Sequence, residues 1–280
     1  MSPLIVHWNV DPVIFHIGAV EIRYYSLLFV SGFILGYYIF KGYLKREKIN
    51  QDVLDPLLYS LLIATIIGAR LGHCLFYQPD YYLGSWSGFW EIFMPWKGGL
   101  ASHGGAIAII FAMIWYARKY GRKNGFEFWW VMDHIVIPTC FAGAMIRLGN
   151  LFNSEIYGNV TSLPWGFVYE LNGETLPKHP TQLYEALGYT ILGAVLSWLY
   201  YKKADKLYRG EIFGIFFIAL WGIRFLIEFV KEPQVMFEQN MTLNMGQLLS
   251  IPFIIAGIVI LVVSLIKKKP FLAAQAVKSK

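Results

Sequence analysis

Three arginines lie in segments that are otherwise strongly apolar, and their chemistry sets the first question about function. Arg70, Arg147 and Arg224 each stand within or at the edge of a long apolar stretch. A guanidinium stays charged when it loses water, and its planar fork can hold a phosphate through two parallel hydrogen bonds. A charge near the centre of a bilayer costs about 3 kcal/mol on insertion scales. We therefore expect these arginines to have anionic partners, and a lipid phosphate is one candidate.

Arg224 and Arg147 differ in the acidic residues near them in sequence. Glu228 follows Arg224 at the spacing of a mutual ion pair on one helix face. Such a pair would neutralise both charges without excluding a role in binding. Arg147 has no acidic residue within one helical turn of it, so its partner must come from elsewhere.

Residues 147–158 read Arg-Leu-Gly-Asn-Leu-Phe-Asn-Ser-Glu-Ile-Tyr-Gly and are dense in polar side chains. In a helix, Arg147, Asn150 and Asn153 or Ser154 would lie near one face, where they could bind a polar group together. The alternative is structural: a helix that ends near Gly149 and continues as a polar turn. The residues alone leave both interpretations open.

His103 stands in the sequence Ala-Ser-His-Gly-Gly-Ala at the start of an apolar stretch. Histidine has the unperturbed pKa nearest neutrality, which suits it to act as a general base. The alternative is that Ser102 caps a helix while Gly104 and Gly105 allow close helix packing. Weaker candidates are His73, His134 and His179. No zinc-binding spacing such as His-Glu-x-x-His occurs, so we do not expect metalloprotease chemistry.

The composition defines the elements that must position these side chains. Of 280 residues, 56% are hydrophobic and 15% charged, whereas soluble domains have about 25% charged residues. In lipid the backbone must satisfy its own hydrogen bonds, which leaves helices or closed barrels. The apolar runs are continuous instead of alternating with period two, which indicates helices. We therefore expect an all-α, polytopic integral membrane protein whose residues 1–280 form a single membrane-embedded domain.

About seven transmembrane helices fit the apolar runs, since each needs about 20 residues. The predicted spans are 23–42, 54–77, 103–118, 127–148, 183–201, 211–230 and 247–266. The connections at 78–102 and 149–182 are long, and loops of that length in a compact bundle are often functional. Residues 1–22 contain no Lys or Arg, so we expect no removable signal peptide. Cys74 and Cys140 lie in apolar stretches and predict neither a disulfide nor a metal site.

The basic residues fall on alternate connections. Seventeen lie in or beside the connections near 43–53, 119–126 and 202–210 and in the C-terminal tail, against four on the opposite side. The positive-inside rule then places the N-terminus outside and the C-terminus in the cytoplasm, with both long connections external. This pattern also accounts for the net charge of +6 without a nucleic-acid partner.

Several motifs together resemble those of the bacterial prolipoprotein diacylglyceryl transferases. Ser102-His103-Gly104-Gly105 resembles the family's His-Gly-Gly motif, and the segment from Arg147 to Gly158 is similar to its signature segment. Further stretches agree in order and spacing, so that the resemblance covers nearly the whole chain: Asp11–Phe15 with Tyr24 and Tyr25, Gly68–Gly72 with Phe76 and Tyr77, His179–Glu185, Arg224–Glu228 and Met245–Pro252.

Two positions depart from the family pattern. Ala106 stands where the family often has Leu after His-Gly-Gly, which is a mild change in packing. Leu220 stands where the family usually has a Tyr, four residues before the arginine of the sixth span. Whatever that hydroxyl does in relatives must be absent here or be supplied by another residue.

The resemblance implies a reaction and its partners. The diacylglyceryl group of phosphatidylglycerol would move to the lipobox cysteine of a secreted preprolipoprotein, forming a thioether and releasing glycerol phosphate. This is the first step of bacterial lipoprotein maturation and takes place at the inner membrane. The resemblance implies no metal and no organic cofactor.

The resemblance also implies roles for the candidate residues. The catalytic set would be His103 as the thiol base and Arg147 and Arg224 as phosphate ligands. A cysteine thiol has a pKa of about 8.5, so a base is useful at neutral pH. Glu155 and Glu228 would orient the arginines. The full substrate-binding set is Tyr25, Arg70, Asn150, Asn153, Glu155, Gly158 and Glu228.

Other classes of membrane protein fit parts of the pattern. A transporter or channel would use the arginines to bind a translocated anion and would form no covalent product. A different phospholipid-dependent headgroup transferase and a seven-helix receptor are further alternatives, although no ligand motif supports the receptor. The residues alone do not separate a transporter from a lipid enzyme, and the resemblance favours the transferase.

Overall fold

A computed structural model of the chain describes residues 5–18, 20–232 and 242–273, and most of them are helical. Lys278 and Lys280, which contribute to the basic tail, lie outside the described residues. The helices, in chain order, are α1 (Tyr24–Arg46), α2 (Leu54–Phe76), α3 (Pro79–Gly84), α4 (Trp86–Glu91), α5 (Ser102–Tyr116), α6 (Arg122–Asn124), α7 (Phe128–Phe152), α8 (Thr181–Lys203), α9 (Glu211–Ile227) and α10 (Met245–Lys267).

Five helical segments of the described chain are long and apolar enough to cross a membrane: Tyr24–Arg46, Gln51–Phe76, Phe128–Phe152, Glu211–Val230 and Met245–Lys267. The predicted class, a helical polytopic membrane protein, is confirmed, but this criterion does not reach the predicted number of seven. The other two predicted spans are helices that fall short for different reasons. Helix α5 has 15 residues before a π-helical turn at Ala117–Gly121, and α8 carries Gln182 and Glu185 in its first half.

In the part of the chain that the structure describes, four short strands lie outside the helices, and they were not predicted. Strand β1 (Val6–Trp8) pairs in parallel with β4 (Phe167–Tyr169), far away in sequence. Strands β2 (Val13–Ile17) and β3 (Val20–Arg23) form an antiparallel pair directly before α1. The β1–β4 pairing ties the N-terminal segment to the 149–182 connection.

The chain separates into two compact units. The larger unit comprises Met1–Ile39 and Asp133–Phe271, and the smaller unit comprises Phe40–Met132 and Leu272–Lys280. Helices α1 and α7 each contribute residues to both units.

In the smaller unit, α2 and α5 pack through glycines. A Cβ on Gly104 of α5 would lie 2.6 Å from the Cα of Gly72 on α2 and still closer to the carbonyl oxygen of Gly68. The two backbones therefore approach at a distance that no larger residue permits. The alternative interpretation of Ser102 as a cap is wrong, because the helix cap is Ala101 and no side chain caps it.

In the larger unit, a buried carboxylate anchors the start of α9. Asp133 of α7 accepts hydrogen bonds from the backbone N–H of Gly210 at 2.6 Å and of Phe213 at 2.9 Å. Helix α10 begins with a capping box in which Asn244 and Gln247 bond each other's backbone N–H groups. The orphan N–H groups at both helix starts are thereby partly satisfied.

The glycine contact between α2 and α5 predicts a specific loss of stability. Gly104→Ala should lower the free energy of unfolding by about 1–3 kcal/mol, because the new methyl group overpacks a backbone contact. Gly222→Ala is the matched control, since a Cβ there meets nothing within 4 Å. Thermal unfolding in detergent should show a lower melting temperature for the first variant alone. Equal melting temperatures would contradict the close approach.

Candidate functional site

The segment predicted to bind a polar group starts inside α7 and leaves it through a turn. Helix α7 runs to Phe152, so the predicted helix end at Gly149 is wrong. Gly149 instead makes room for the Tyr25 ring. A Cβ atom at position 149 would lie 2.8 Å from Cδ2 of Tyr25. Beyond the helix, Ser154 and Ile156 have positive φ angles of 52° and 63°, which turn the chain sharply.

A chain of hydrogen bonds joins four predicted site residues. Arg147 Nη1 donates to Asn150 Oδ1 at 3.1 Å, and Asn150 Nδ2 donates to Glu155 Oε1 at 2.8 Å. Asn153 Nδ2 donates to the same oxygen of Glu155 at 3.2 Å. Tyr25 lies within electrostatic range of both Glu155 and Arg147. Glu155 therefore orients Arg147 through Asn150 and not by a direct ion pair.

The direct carboxylate partner of Arg147 comes from α8. Arg147 Nε lies 2.5 Å from Glu185 Oε2, and the two side chains are only 14% and 2% exposed. Sequence reasoning did not assign Glu185 to the site, because spacing along the chain does not show pairing between helices. The available signal was a single acidic residue inside an apolar predicted span.

Tyr189, one turn after Glu185, is a second site residue that sequence reasoning missed. It lies within electrostatic range of both Arg147 and Arg224. Its ring is buried in an apolar cluster that includes Leu220. Tyr189 is therefore a common neighbour of the two arginines.

Arg224 has no carboxylate within ion-pair distance among the residues that the structure describes. Its guanidinium carbon lies 5.4 Å from the centroid of the Trp221 ring. Glu228, expected as a partner of Arg224, pairs with Lys231, whose Nζ is 3.2 Å from Oε2. A cation–π contact stabilises a cation without cancelling its charge, so Arg224 keeps a full positive charge.

Gly158 lies where three chain segments meet. Its N–H donates to the carbonyl of His179 at 2.8 Å, and the next N–H, of Asn159, donates to Val230 at 2.8 Å. A Cβ on Gly158 would lie 2.8 Å from both the Cβ of His179 and the Cγ2 of Thr181. Only glycine allows this junction, which fixes the turn that carries Glu155.

Lys178 orders the rest of the 149–182 connection. Its Nζ lies 2.7 Å from Glu174 Oε1 and 3.0 Å from Glu232 Oε1, and 4.8 Å from the centroid of the Tyr157 ring. Burial alone lowers the pKa of Lys178, but hydrogen bonds to the two glutamates outweigh it and the pKa is raised. The hydrogen bond from Lys178 lowers the pKa of Glu174. The pair of Lys178 and Glu174 therefore stays ionised at neutral pH.

In the smaller unit, Arg70 binds backbone carbonyls. Its Nη1 donates to Gly98 O at 2.6 Å, its Nε donates to Ile92 O at 3.2 Å, and its Nη2 donates to Glu91 O. The residue is 3% exposed. This geometry makes Arg70 the organiser of the connection between α2 and α5.

His103 is exposed at the start of α5 and stands in a row of rings. Its Nε2 lies 3.0 Å from the hydroxyl of Tyr77, and the two rings stack at 5.7 Å. Tyr77 also stacks on His73 at 5.7 Å. The phenol can fix the orientation of the imidazole, which is what a proton acceptor needs.

The structure therefore sorts the predicted site residues into two groups. The larger unit holds Tyr25, Arg147, Asn150, Asn153, Glu155, Gly158, Arg224 and Glu228, and the smaller unit holds Arg70 and His103. The first group offers two cations and several amide and carboxylate groups, which suits an anionic polar headgroup. The second offers an exposed imidazole with a phenol partner, which suits proton transfer.

Comparison with known proteins identifies the family of the chain. The family model of prolipoprotein diacylglyceryl transferases matches residues 12–263. Three relatives bear the name phosphatidylglycerol–prolipoprotein diacylglyceryl transferase. The relative from Porphyromonas gingivalis is 45% identical over 91% of this chain and 93% of its own length. The relative from Bacteroides fragilis is 43% identical (91% and 94%), and that from Tolumonas auensis is 40% identical (92% and 96%). The chain belongs to the prolipoprotein diacylglyceryl transferase family.

Proposed function

We propose that this chain transfers the diacylglyceryl group of phosphatidylglycerol to the lipobox cysteine thiol of preprolipoproteins. The sulfur forms a bond to the glyceryl carbon that carried the phosphate, and the bond between that carbon and the phosphate oxygen breaks. Glycerol phosphate leaves, and the thiol proton passes to a base. The observation that carries the proposal is the pair of arginines around Tyr189, since the leaving phosphate needs cations.

The two arginines act on the leaving group. A phosphodiester with one negative charge becomes a monoester that approaches two, and preorganised cations stabilise that growing charge. Glu185 and Asn150 hold Arg147 in place, while Arg224, which has no carboxylate partner among the described residues, offers its charge to the phosphate. Glu228 supports this end of α9 through its pair with Lys231.

The polar residues beside Arg147 recognise the glycerol headgroup through hydrogen bonds. Tyr25, Asn150, Asn153 and Glu155 supply a phenol, two amides and a carboxylate, which match hydroxyl groups as donors and acceptors. Gly158 shapes the turn that presents Glu155. Arg70 contributes by holding the connection before α5 in the conformation that substrate binding requires.

His103 acts on the thiol. A thiol with a pKa of about 8.5 is mostly protonated at neutral pH, so a base raises the fraction of reactive thiolate. Tyr77 keeps the imidazole oriented through its 3.0 Å contact with Nε2. No other step requires a change in the protonation of the enzyme.

The activity is tested directly with purified protein, phosphatidylglycerol and a lipobox peptide. Mass spectrometry should detect a diacylglyceryl adduct on the peptide cysteine and not on a peptide with Ser in its place. An anion transporter would instead give flux across liposomes and no adduct, and that result would reject the proposal.

The position of Tyr189 predicts the effect of removing its hydroxyl. Tyr189→Phe should lower transferase activity about 10–100-fold, because Tyr189 lies beside both arginines and a hydrogen bond to a charged group contributes about 1.5–3 kcal/mol. Adding Leu220→Tyr should restore part of the activity, since Leu220 packs against the cluster that contains Tyr189. Tyr116→Phe is the control: it removes a buried hydrogen bond to Val53 O and should leave activity unchanged. Full activity of Tyr189→Phe would remove this residue from the site.

The assignment of His103 as base predicts a pH-dependent rescue. His103→Gln should lose activity near pH 7 and regain about 10–30-fold near pH 9.5, where a thiol of pKa about 8.5 ionises unaided. Wild-type activity should change much less over that range. Tyr77→Phe should show a smaller loss with the same pH trend. If folded His103→Gln is equally inactive at both pH values, His103 is not the thiol base.

The orientation in the bacterial inner membrane is a further proposal, based on the excess of basic residues on one side. Single cysteines at the exposed positions Ser85 and Ser162 should react with an impermeant reagent in intact cells. Cysteines at Lys123 and Lys206 should not. Ser162 is preferred to its neighbour Thr161, which is buried, and the native cysteines are buried too. Labelling at Lys206 in intact cells would reverse the orientation.

A further inference from the structure

A groove lies between α2 and α5 of the smaller unit, away from the residues assigned to the reaction. Its cavity volume is about 680 Å³, which falls in the range of small-molecule sites. Its walls are almost entirely apolar and include Tyr59, Ile63, Ala108, Phe111, Ala112 and Trp115.

The shape of the groove follows from the sizes of its side chains. The small side chains of Ala64, Ala108 and Ala112 line the bottom of the groove and leave space above them. Larger side chains form its rim. Tyr59 is 60% exposed, Phe111 66% and Trp115 50%. Helix α2 is long and apolar enough to span a membrane, so this exposed apolar channel lies beside hydrocarbon.

One end of the groove is cationic. Tyr120 lines it there, and Lys119 Nζ lies 4.7 Å from the Trp115 ring centroid and 5.4 Å from that of Tyr120. Arg118, Arg122 and Lys123 are exposed in the same stretch. The π-helical turn Ala117–Gly121 carries Arg118 and Lys119, and α6 carries Arg122 and Lys123. Such turns often occur at functional sites.

The charge at this end remains positive when the start of α2 is included. Asp52 and Asp55 are the acidic residues there, and Asp52 also accepts a hydrogen bond from Asn50 Nδ2 at 3.0 Å. Four basic residues after α5 therefore outnumber the two acids near the start of α2. An apolar channel with one positive end matches a molecule with a hydrocarbon tail and a negative head.

We propose that this groove binds one anionic phospholipid as a resident ligand. An acyl chain lies along Ile63, Ala112 and Phe111, and the phosphate lies at Lys119 and its basic neighbours. Attraction of anionic lipid by juxtamembrane basic residues is well founded physically, and the groove adds a place for the chain. A peptide or a second helix would not need a positive charge at only one end.

The bound lipid has a consequence for the smaller unit. It contacts α2 and α5 together, and these helices carry Arg70 and His103. A ligand that binds only the folded state stabilises it by mass action. The lipid therefore stabilises the helix pair that presents His103, without taking part in the reaction.

The proposal is tested by native mass spectrometry of the delipidated full-length protein titrated with phosphatidylglycerol, with phosphatidylethanolamine of the same chains as comparison. The double variant Lys119→Gln, Lys123→Gln should bind phosphatidylglycerol at this site about tenfold more weakly. Ala112→Trp, which fills the groove, should remove the same bound lipid. The matched control Lys202→Gln, Lys206→Gln changes net charge equally at another basic connection and should bind as the wild type does.

The outcomes separate this groove from other sources of lipid binding. Equal weakening in the control pair would mean general attraction by surface charge and would overturn the proposal. Unchanged binding in the Lys119 and Lys123 variant would do the same, even if Ala112→Trp failed to fold. Arg147→Gln removes a ligand of the proposed reaction site and should keep the groove lipid. Loss of that lipid in Arg147→Gln would place it at the arginines instead.

Discussion

A buried charge in an apolar helical protein needs partners that replace its lost water, and the site depends on one ion pair. Arg147 of α7 and Glu185 of α8 are paired at 2.5 Å and are almost excluded from solvent. Removing either partner would leave an uncompensated charge, at a cost of about 3–5 kcal/mol. The pair therefore holds the two helices at one relative position. Asn150 accepts a hydrogen bond from the same guanidinium, Tyr189 lies within electrostatic range of it, and the polar chain to Glu155 extends from Asn150.

Because of this ion pair, Arg147 and Arg224 have different roles in the proposed reaction. Arg147 is fixed by a carboxylate, so its position is set before any substrate arrives, which is the condition for electrostatic catalysis without reorganisation. Arg224 has an aromatic neighbour instead of a described carboxylate partner, so its charge is available to a phosphate. A site with two fully paired arginines would hold no net charge, and two unpaired ones would be costly to bury.

The sequence predicted the helices and most of the polar segment, because apolar runs and local spacing are properties of the chain itself. It did not predict Glu185 as a partner, since pairing between helices depends on packing that spacing does not encode. Glu228 was expected to pair with Arg224, four residues before it, but it pairs with Lys231, three residues after it. Helix α7 runs past Gly149, because the glycine serves a close contact with Tyr25 and not a helix end.

The departure at Leu220 has a physical explanation in the same cluster. A leucine cannot donate a hydrogen bond, yet its side chain packs against the apolar cluster that contains Tyr189. Tyr189 of α8 lies within electrostatic range of both arginines, whereas a tyrosine at position 220 would approach them from α9. Position 220 therefore fills space in this chain, and Tyr189 is the residue that brings a phenol close to the arginines.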